Sequence, residues 1–121
     1  MKKKMISLAL ALVLMLSLAI PAFAAQYVSD GYYGGSYYEI VDNCTYDMFS
    51  GTITCMDRTV QVVAYVETGE YPNMIKKDWY YGPSQYHYST ASRSTVGQVM
   101  HVDFYHYIDG NVARNNTMYP S

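Results

Sequence analysis

"TVQVVAYVE", Thr59–Glu67, is the clearest β-strand signal in the sequence. Apolar residues stand at every second position, and successive side chains of a strand point to opposite faces. The even-numbered residues from Val60 to Val66 are therefore predicted to face a core. The odd-numbered residues from Gln61 to Glu67 would lie on the other face. This alternation predicts a half-buried strand of a sheet.

The rest of the chain repeats this pattern in shorter runs. Branched and aromatic residues alternate with polar ones, and Gly, Pro, Asn and Asp separate the runs. Asp109-Gly110 lies between two such runs and is a hairpin signal. We predict one all-β domain over residues 38–121. It would be a small antiparallel β-sandwich or barrel of about six strands.

Two breaks interrupt the pattern in the middle of the chain. Gly69 and Pro72 break the alternation in TGEYPNMIKKD, so we predict a loop over residues 68–78. Gly82-Pro83 divides the stretch from Trp79 to Val96 into a turn and a strand, because a central strand does not tolerate proline.

The N-terminus has the three parts of a secretory signal peptide. Lys2–Lys4 are positively charged, Met5–Ile20 is apolar, and Ala22-Phe23-Ala24 offers small residues to a signal peptidase. We expect cleavage directly after this motif or one residue later. That cleavage removes residues 1–24, and the mature protein is secreted to the extracellular space. The apolar run also approaches membrane-spanning length, so a membrane anchor is the alternative.

Without this leader the chain is acidic. The full sequence has 8 basic and 10 acidic residues, and three of the basic ones are Lys2–Lys4. Five bases against ten acids give the mature part a net charge of −5. Nucleic acid is therefore a poor partner. Stable membrane insertion is also disfavoured, because a membrane-disrupting peptide needs a cationic amphipathic helix.

Residues 25–37 differ in composition from the rest of the chain. Glycine and tyrosine dominate QYVSDGYYGGSYY, which begins at Gln26, and aliphatic residues are nearly missing. Such a composition is typical of flexible segments. We predict a flexible segment here, ahead of the β domain.

Cys44 and Cys55 are the only two cysteines. Thiols of exported proteins usually end as disulfides, and a domain of this size has a marginal core. If Tyr38–Cys44 and Thr52–Asp57 pair around a turn at Ser50-Gly51, the two cysteines face each other. We predict a disulfide that contributes on the order of 3 kcal/mol. The alternative is a metal site, which would need further ligands.

His101, Asp103 and His106 form a loose cluster of metal-ligating residue types. In a strand, His101 and Asp103 face one side, whereas His106 faces the other side together with Val102 and Phe104. The two histidines point apart, and a third ligand is missing. We therefore predict no metal site and no cofactor.

Asp78, Ser84 and His87 are the residue types of a serine hydrolase triad. Such groups must converge beside an oxyanion hole, normally from separate segments. A Gly-x-Ser-x-Gly elbow does not occur in the sequence. We expect a protein that is not an enzyme.

Tyrosine is the most unusual feature of the composition, with 15 residues in 121. Adjacent strand residues point to opposite faces, so pairs such as Tyr80-Tyr81 expose at least one ring. Tyrosine serves well in recognition surfaces, although it is also a good strand former. In a strand, Tyr86 and Tyr88 would share one face, and His87 would lie on the opposite face. The candidate binding residues are Trp79, Tyr81, Tyr86, His87 and Tyr88.

The same stretch contains an ordered series of short motifs. Trp79–Gly82 reads W-x-x-G, and Ser84–His87 reads S-x-Y-H. A hydroxyl-rich run then leads through Ser94-Thr95-Val96 to a late aromatic strand, DFYHY. This succession, over residues 79–107, resembles the lactococcin family of secreted bacteriocins. The resemblance implies a small, unmodified β-sandwich that acts on the envelope of sensitive bacteria by binding a cell-wall precursor instead of forming pores.

We therefore expect a secreted, non-enzymatic, bacteriocin-like protein of a Gram-positive bacterium that binds a cell-wall component or precursor. The alternative is a structural or adhesive extracellular protein that binds carbohydrate or self-associates, for example as a homodimer, through exposed tyrosines. A small secreted hydrolase is a third hypothesis.

Overall fold

The structure is a computed structural model that describes residues 25–70 and 74–120. Within these ranges every regular element is a strand and every strand pairing is antiparallel. The predicted all-β fold is confirmed, with seven strands. The strands are β1 (Ala25–Tyr33), β2 (Ser36–Cys44), β3 (Met48–Glu70), β4 (Met74–Tyr81), β5 (Gln85–Ser94), β6 (Gln98–Ile108) and β7 (Asn111–Met118).

β3 organises the sheet because its 23 residues pass through both halves of the molecule. Its first half pairs with β2 and β5, and its second half pairs with β4 and β6. β1 extends the first half beyond β2, and β7 extends the second half beyond β6. The result is one curled sheet whose two halves share a core.

The predicted strand Thr59–Glu67 lies within β3 and has the predicted alternation. Its even-numbered residues from Val60 to Val66 are at most 1% exposed. Burial of apolar surface on this inner face is the main term that stabilises the fold. Neighbouring strands and the first half of β3 add the other large core residues: Ile40, Phe49, Ile53, Val99, Val102, Phe104 and Ile108.

Asp109-Gly110 forms the turn between β6 and β7, as predicted. Both residues have positive φ, 51° for Asp109 and 79° for Gly110, which matches the twist of a two-residue hairpin. β3 bends between Thr54 and Thr59, where its pairing with β5 shifts register and Asp57 has a φ of 58°. Asp109 binds Arg58 at this bend, with 2.7 Å between Oδ2 and Nη1. Arg58 donates another hydrogen bond to the carbonyl of Gly34. One guanidinium therefore joins the β1–β2 and β6–β7 turns to β3.

The prediction that residues 25–37 form a flexible segment is wrong. They form β1 and the start of β2, with a turn at Gly34-Gly35 whose φ values are 54° and 84°. Glycine adopts such values without strain. Tyr32 and Tyr37 pair across this hairpin with 5.5 Å between ring centroids. Tyrosine therefore acts here as a strand former, and cross-strand aromatic pairs stabilise the hairpin.

The loop predicted over residues 68–78 is shorter than expected. β3 continues to Glu70, because its last residues pair with both β4 and β6, and β4 begins at Met74. The predicted break at Gly82-Pro83 is confirmed. It separates β4 from β5, which pair in succession with β3.

The predicted disulfide between Cys44 and Cys55 is wrong, because the register of β2 and β3 differs from the expected one. Cys44 pairs with Phe49, and Cys55 pairs with Tyr38. Phe49 and Cys55 are six residues apart on β3, which separates the cysteines by roughly 20 Å along the strand. A disulfide needs Cα atoms within about 7 Å. Both thiols are free and buried, and burial raises the pKa of the Cys44 thiol to about 11.

The predicted signal peptide, residues 1–24, lies outside the described residues. Within the part of the chain that the structure describes, no helix is long and apolar enough to cross a membrane. The described strands form one sheet from Ala25 onward, so the β domain begins before residue 38.

Candidate functional site

Trp79 and Tyr81, two of the predicted binding residues, lie on the outer face of β4. On β3, Trp79 pairs with Tyr65 and Tyr81 pairs with Val63. On the other side of β3, Val63 pairs with Tyr105 of β6. Paired residues of neighbouring strands lie on the same face. Three strands therefore bring aromatic side chains together on the outside of the sheet.

Tyr65, Trp79, Tyr81 and Tyr105 form what we call the aromatic face. Trp79 contacts the other three rings: its centroid is 4.9 Å from that of Tyr65, 6.0 Å from Tyr105 and 6.5 Å from Tyr81. Its plane differs by 30° from that of Tyr105 and by 24° from that of Tyr81. Aromatic rings at these distances attract each other. The four rings make one continuous surface.

The aromatic face is open to solvent, although it covers one apolar residue. Trp79 is 52% exposed and Tyr81 is 71% exposed. Val63 belongs to the same face but is only 5% exposed, because the surrounding rings close over it. The rings therefore stabilise the sheet and still offer apolar surface to a partner.

Glu67, His101 and Asp103 form a polar margin beside the aromatic face. Glu67 pairs with His101 of β6. His101 Nδ1 is 3.3 Å from Glu67 Oε2, and its Nε2 is 3.9 Å from Asp103 Oδ2. Lys77 of β4 lies on the other side of Glu67, with 3.7 Å between Nζ and Oε1. The two carboxylates place hydrogen-bond acceptors directly beside the rings.

Tyr65 connects the aromatic face to this polar margin. Its hydroxyl donates a hydrogen bond of 2.9 Å to Glu67 Oε1. Burial, together with this hydrogen bond to a carboxylate, raises the pKa of the Tyr65 phenol. The phenol is therefore neutral at physiological pH, and it holds the Glu67 carboxylate next to the rings.

A bulge in β6 lies directly before His101 of the polar margin. Glu67 pairs with His101, but the next residue of β3, Thr68, pairs with Val99. Met100 is therefore the extra residue, and the shift lets Val99 face the core while His101 faces outward. Bulges commonly re-aim side chains in this way.

The prediction that the histidines of β6 point apart is confirmed. His101 is partly exposed on the outer face, whereas His106 is fully buried and lies 2.8 Å from Asp42, between Nε2 and Oδ1. Across residues 25–70 and 74–120, no group of three or more His, Cys, Asp or Glu side chains is arranged to hold a metal ion.

Tyr86, His87 and Tyr88, the other predicted binding residues, lie on β5 and are not part of the aromatic face. All three are exposed. The register of β3 and β5 shifts between Tyr86 and Tyr88, so His87 lies opposite the bend of β3. The φ of His87 is 76°, which breaks the predicted alternation. Its Nδ1 donates to the carbonyl of Cys55 at 3.1 Å.

The sequence alone does not identify Tyr65 and Tyr105 as site residues. Alternation places Tyr65 on the outer face of its strand, and it places Tyr105 on one face with His101 and Asp103. It does not show that β3 lies between β4 and β6, because that arrangement depends on pairing between distant parts of the chain. The sequence feature that could have indicated this site is Val63, an apolar residue on an otherwise polar face of its strand.

Comparisons of the chain with models of known protein families, with curated proteins and with solved structures find no match.

Proposed function

We propose that the protein is a secreted, non-enzymatic, bacteriocin-like protein that binds a component of the bacterial cell envelope through its aromatic face. The observation that carries this proposal is the exposure of Trp79 and Tyr81 within an array of four rings. Single exposed apolar residues are common, but a contiguous apolar surface with polar edges is typical of interaction sites. Tryptophan and tyrosine are also enriched among the residues that dominate binding energies.

Two sequence features support a bacterial target. The N-terminal residues have the pattern of a secretory leader. Residues 79–107, which include the end of β4, all of β5 and most of β6, resemble the lactococcin bacteriocins. A protein of this kind acts on other cells after secretion and needs an exposed recognition surface instead of a catalytic centre.

Binding to cells and growth inhibition test this proposal together. The purified mature protein is incubated with Gram-positive bacteria and with isolated cell walls, and the bound fraction is measured after sedimentation. The same samples are spotted on bacterial lawns. Trp79→Ala and Tyr81→Ala should each reduce binding and clearing about tenfold or more, because they remove contact area at the centre of the face.

The matched control is Tyr32→Ala, which removes a tyrosine that is 75% exposed on β1, away from the aromatic face. This variant should bind and inhibit like the wild type. A folded wild-type protein, verified by circular dichroism, that neither binds nor inhibits any strain tested would count against the proposal. Equal losses in Tyr32→Ala and Trp79→Ala would also contradict it, because the effect would not belong to the aromatic face.

A second function is supported by tyrosines outside the aromatic face. Tyr32, Tyr46, Tyr86 and Tyr119 are all more than half exposed. Such a surface suits a structural or adhesive extracellular protein that self-associates. Sedimentation velocity over a range of concentrations separates the two functions. Oligomers that form with concentration and disappear in Tyr86→Ala would favour the adhesive function.

A further inference from the structure

We propose that the aromatic face binds a neutral glycan chain, with sugar rings stacked on Trp79 and its neighbours and hydroxyl groups bound at the polar margin. This inference names a ligand class for the proposed envelope-binding function and rests on that function. Three properties of the face restrict the ligand: its shape, its aromatic chemistry and its charge.

The shape of the face favours an extended ligand over a small molecule. The core lies inside the curl of the sheet, so the outer face of β3, β4 and β6 is the convex side. Small-molecule sites are concave and enclose most of the ligand surface. Trp79 and Tyr81 instead stand on an open surface with more than half of their area exposed. A polymer can lie along such a surface and gain contact area without being enclosed.

The aromatic chemistry favours weakly polar C–H groups. Ring faces carry partial negative charge, and the C–H groups on one side of a pyranose ring carry partial positive charge. A sugar ring combines this apolar side with hydroxyl groups around its perimeter. Trp79 has Tyr105 at 6.0 Å and Tyr81 at 6.5 Å. Neighbouring sugar units of one chain can therefore each contact a side-chain ring.

The charge of the polar margin disfavours anionic ligands. Glu67 and Asp103 are carboxylates, and the nearby Lys77 already lies within 3.7 Å of Glu67. A phosphate group, as in a teichoic acid, a nucleic acid or a lipid pyrophosphate, would meet like charge at this margin. Neutral hydroxyl and amide groups would instead donate hydrogen bonds to the Asp103 carboxylate, and such charge-assisted bonds are strong.

The margin also has free acceptor capacity for these donors. A carboxylate offers about four lone-pair sites. Asp103 accepts one hydrogen bond from Thr117 at Oδ1, and its Oδ2 lies 3.9 Å from His101 Nε2, beyond hydrogen-bond distance. The Asp103 side chain is 24% exposed, so a ligand on the aromatic face can reach it. Asp103 is therefore the main hydroxyl acceptor in this proposal.

Trp79 is the only tryptophan of the chain, so its fluorescence reports directly on the proposed site. The mature protein is titrated at constant ionic strength with short and long β-linked N-acetylglucosamine oligomers, with choline chloride and with inorganic pyrophosphate. We expect a saturable change of Trp79 emission with the oligosaccharides and none with the two salts. The longer oligomer should bind more tightly, because more of its sugar units contact rings.

Variants assign this signal to the residues of the site. Tyr81→Ala and Tyr105→Ala should each weaken oligosaccharide binding about tenfold, and Tyr32→Ala should leave it unchanged. Glu67→Gln retains a hydrogen-bond acceptor but removes the charge. It should change oligosaccharide affinity by less than about threefold, whereas a cationic ligand would lose about tenfold or more.

Choline or pyrophosphate that alters the emission while oligosaccharides do not would overturn the glycan proposal. A tenfold loss of oligosaccharide binding in Glu67→Gln would overturn it as well. If oligosaccharides have no effect but cells still bind the protein in a Trp79-dependent way, the glycan class is wrong and the proposed function stands. If Trp79-dependent cell binding is also missing, the proposed function fails.

Discussion

Asp42 of β2 and His106 of β6 are both fully buried, and they bind each other across the core. His106 Nε2 is 2.8 Å from Asp42 Oδ1, and its Nδ1 donates to the carbonyl of Arg114 at 3.0 Å. Asn116 donates to the other carboxylate oxygen of Asp42 at 3.2 Å. Each polar atom of the pair has a partner, which offsets the cost of removing both side chains from water.

Removing one member of this pair should destabilise the protein strongly. We expect Asp42→Ala to lower the free energy of unfolding by about 3–5 kcal/mol, because His106 stays buried without its partner. Glu39→Ala, at an exposed carboxylate on the same strand, should cost less than about 0.5 kcal/mol. Urea unfolding followed by circular dichroism measures both. A loss below about 1 kcal/mol for Asp42→Ala would show that the pair is not needed for stability.

The Asp42–His106 pair also shows what alternation along a single strand can and cannot predict. Alternation along β6 predicts that His106 faces the side of Val102 and Phe104, and the structure buries it there. Alternation does not identify Asp42 as its partner, since the two residues are 64 positions apart. The charge of Asp42 points to solvent exposure, and only the assembled core supplies the hydrogen bonds that make its burial possible.

At the scale of strands, Gly82 is where β4 ends and the chain turns towards β5. Its N–H donates to the carbonyl of Val62 on β3 at 2.8 Å. A Cβ atom at this position would lie 2.5 Å from the carbonyl oxygen of Thr90 and 2.8 Å from that of Val62. Both are backbone atoms of paired strands. The close approach therefore requires glycine.

Gly82→Ala should accordingly destabilise the protein by about 1–3 kcal/mol, the usual cost of forcing extra atoms into a packed site. The matched control is Gly69→Ala in β3, whose Cβ would meet Met100 Sδ at 3.7 Å, an ordinary contact distance. Thermal unfolding of the two variants in parallel compares their unfolding midpoints, and that of Gly82→Ala should be the lower. Equal midpoints would mean that the backbone at the break can relax and that glycine is not required there.

The pairing of strands was harder to predict than the strands themselves. β2 and β3 pair as expected, but Cys44 lies opposite Phe49 instead of Cys55. The predicted and the observed registers of β2 and β3 differ by six residues on β3. An even shift keeps every side chain on its original face, so alternation gives no signal that distinguishes them. The predicted disulfide depended on this one choice of register.

At the scale of the whole molecule, β3 makes the two halves of the sheet dependent on each other. The first half of this strand is paired with β2 and β5, and the second half with β4 and β6. Arg58 adds a connection at the bend, where it binds Asp109 and Gly34. Residues of both halves belong to the same core cluster, among them Phe49 and Phe104, whose ring centroids are 6.1 Å apart. Neither half can expose its inner face without exposing that of the other.

We therefore expect the molecule to unfold in urea in a single two-state transition. The fluorescence emission of Trp79 reports on the unfolding of β4, in the second half. The rate of alkylation of Cys44 reports on the unfolding of β2, in the first half. The Cys44 thiol is buried and its pKa is raised to about 11, so the reactive thiolate is scarce at pH 8 until the protein unfolds. The two midpoints should coincide, and Arg58→Ala should lower both by the same amount. Alkylation that precedes the change of Trp79 emission, in either protein, would show that the halves unfold independently and that β3 does not couple them.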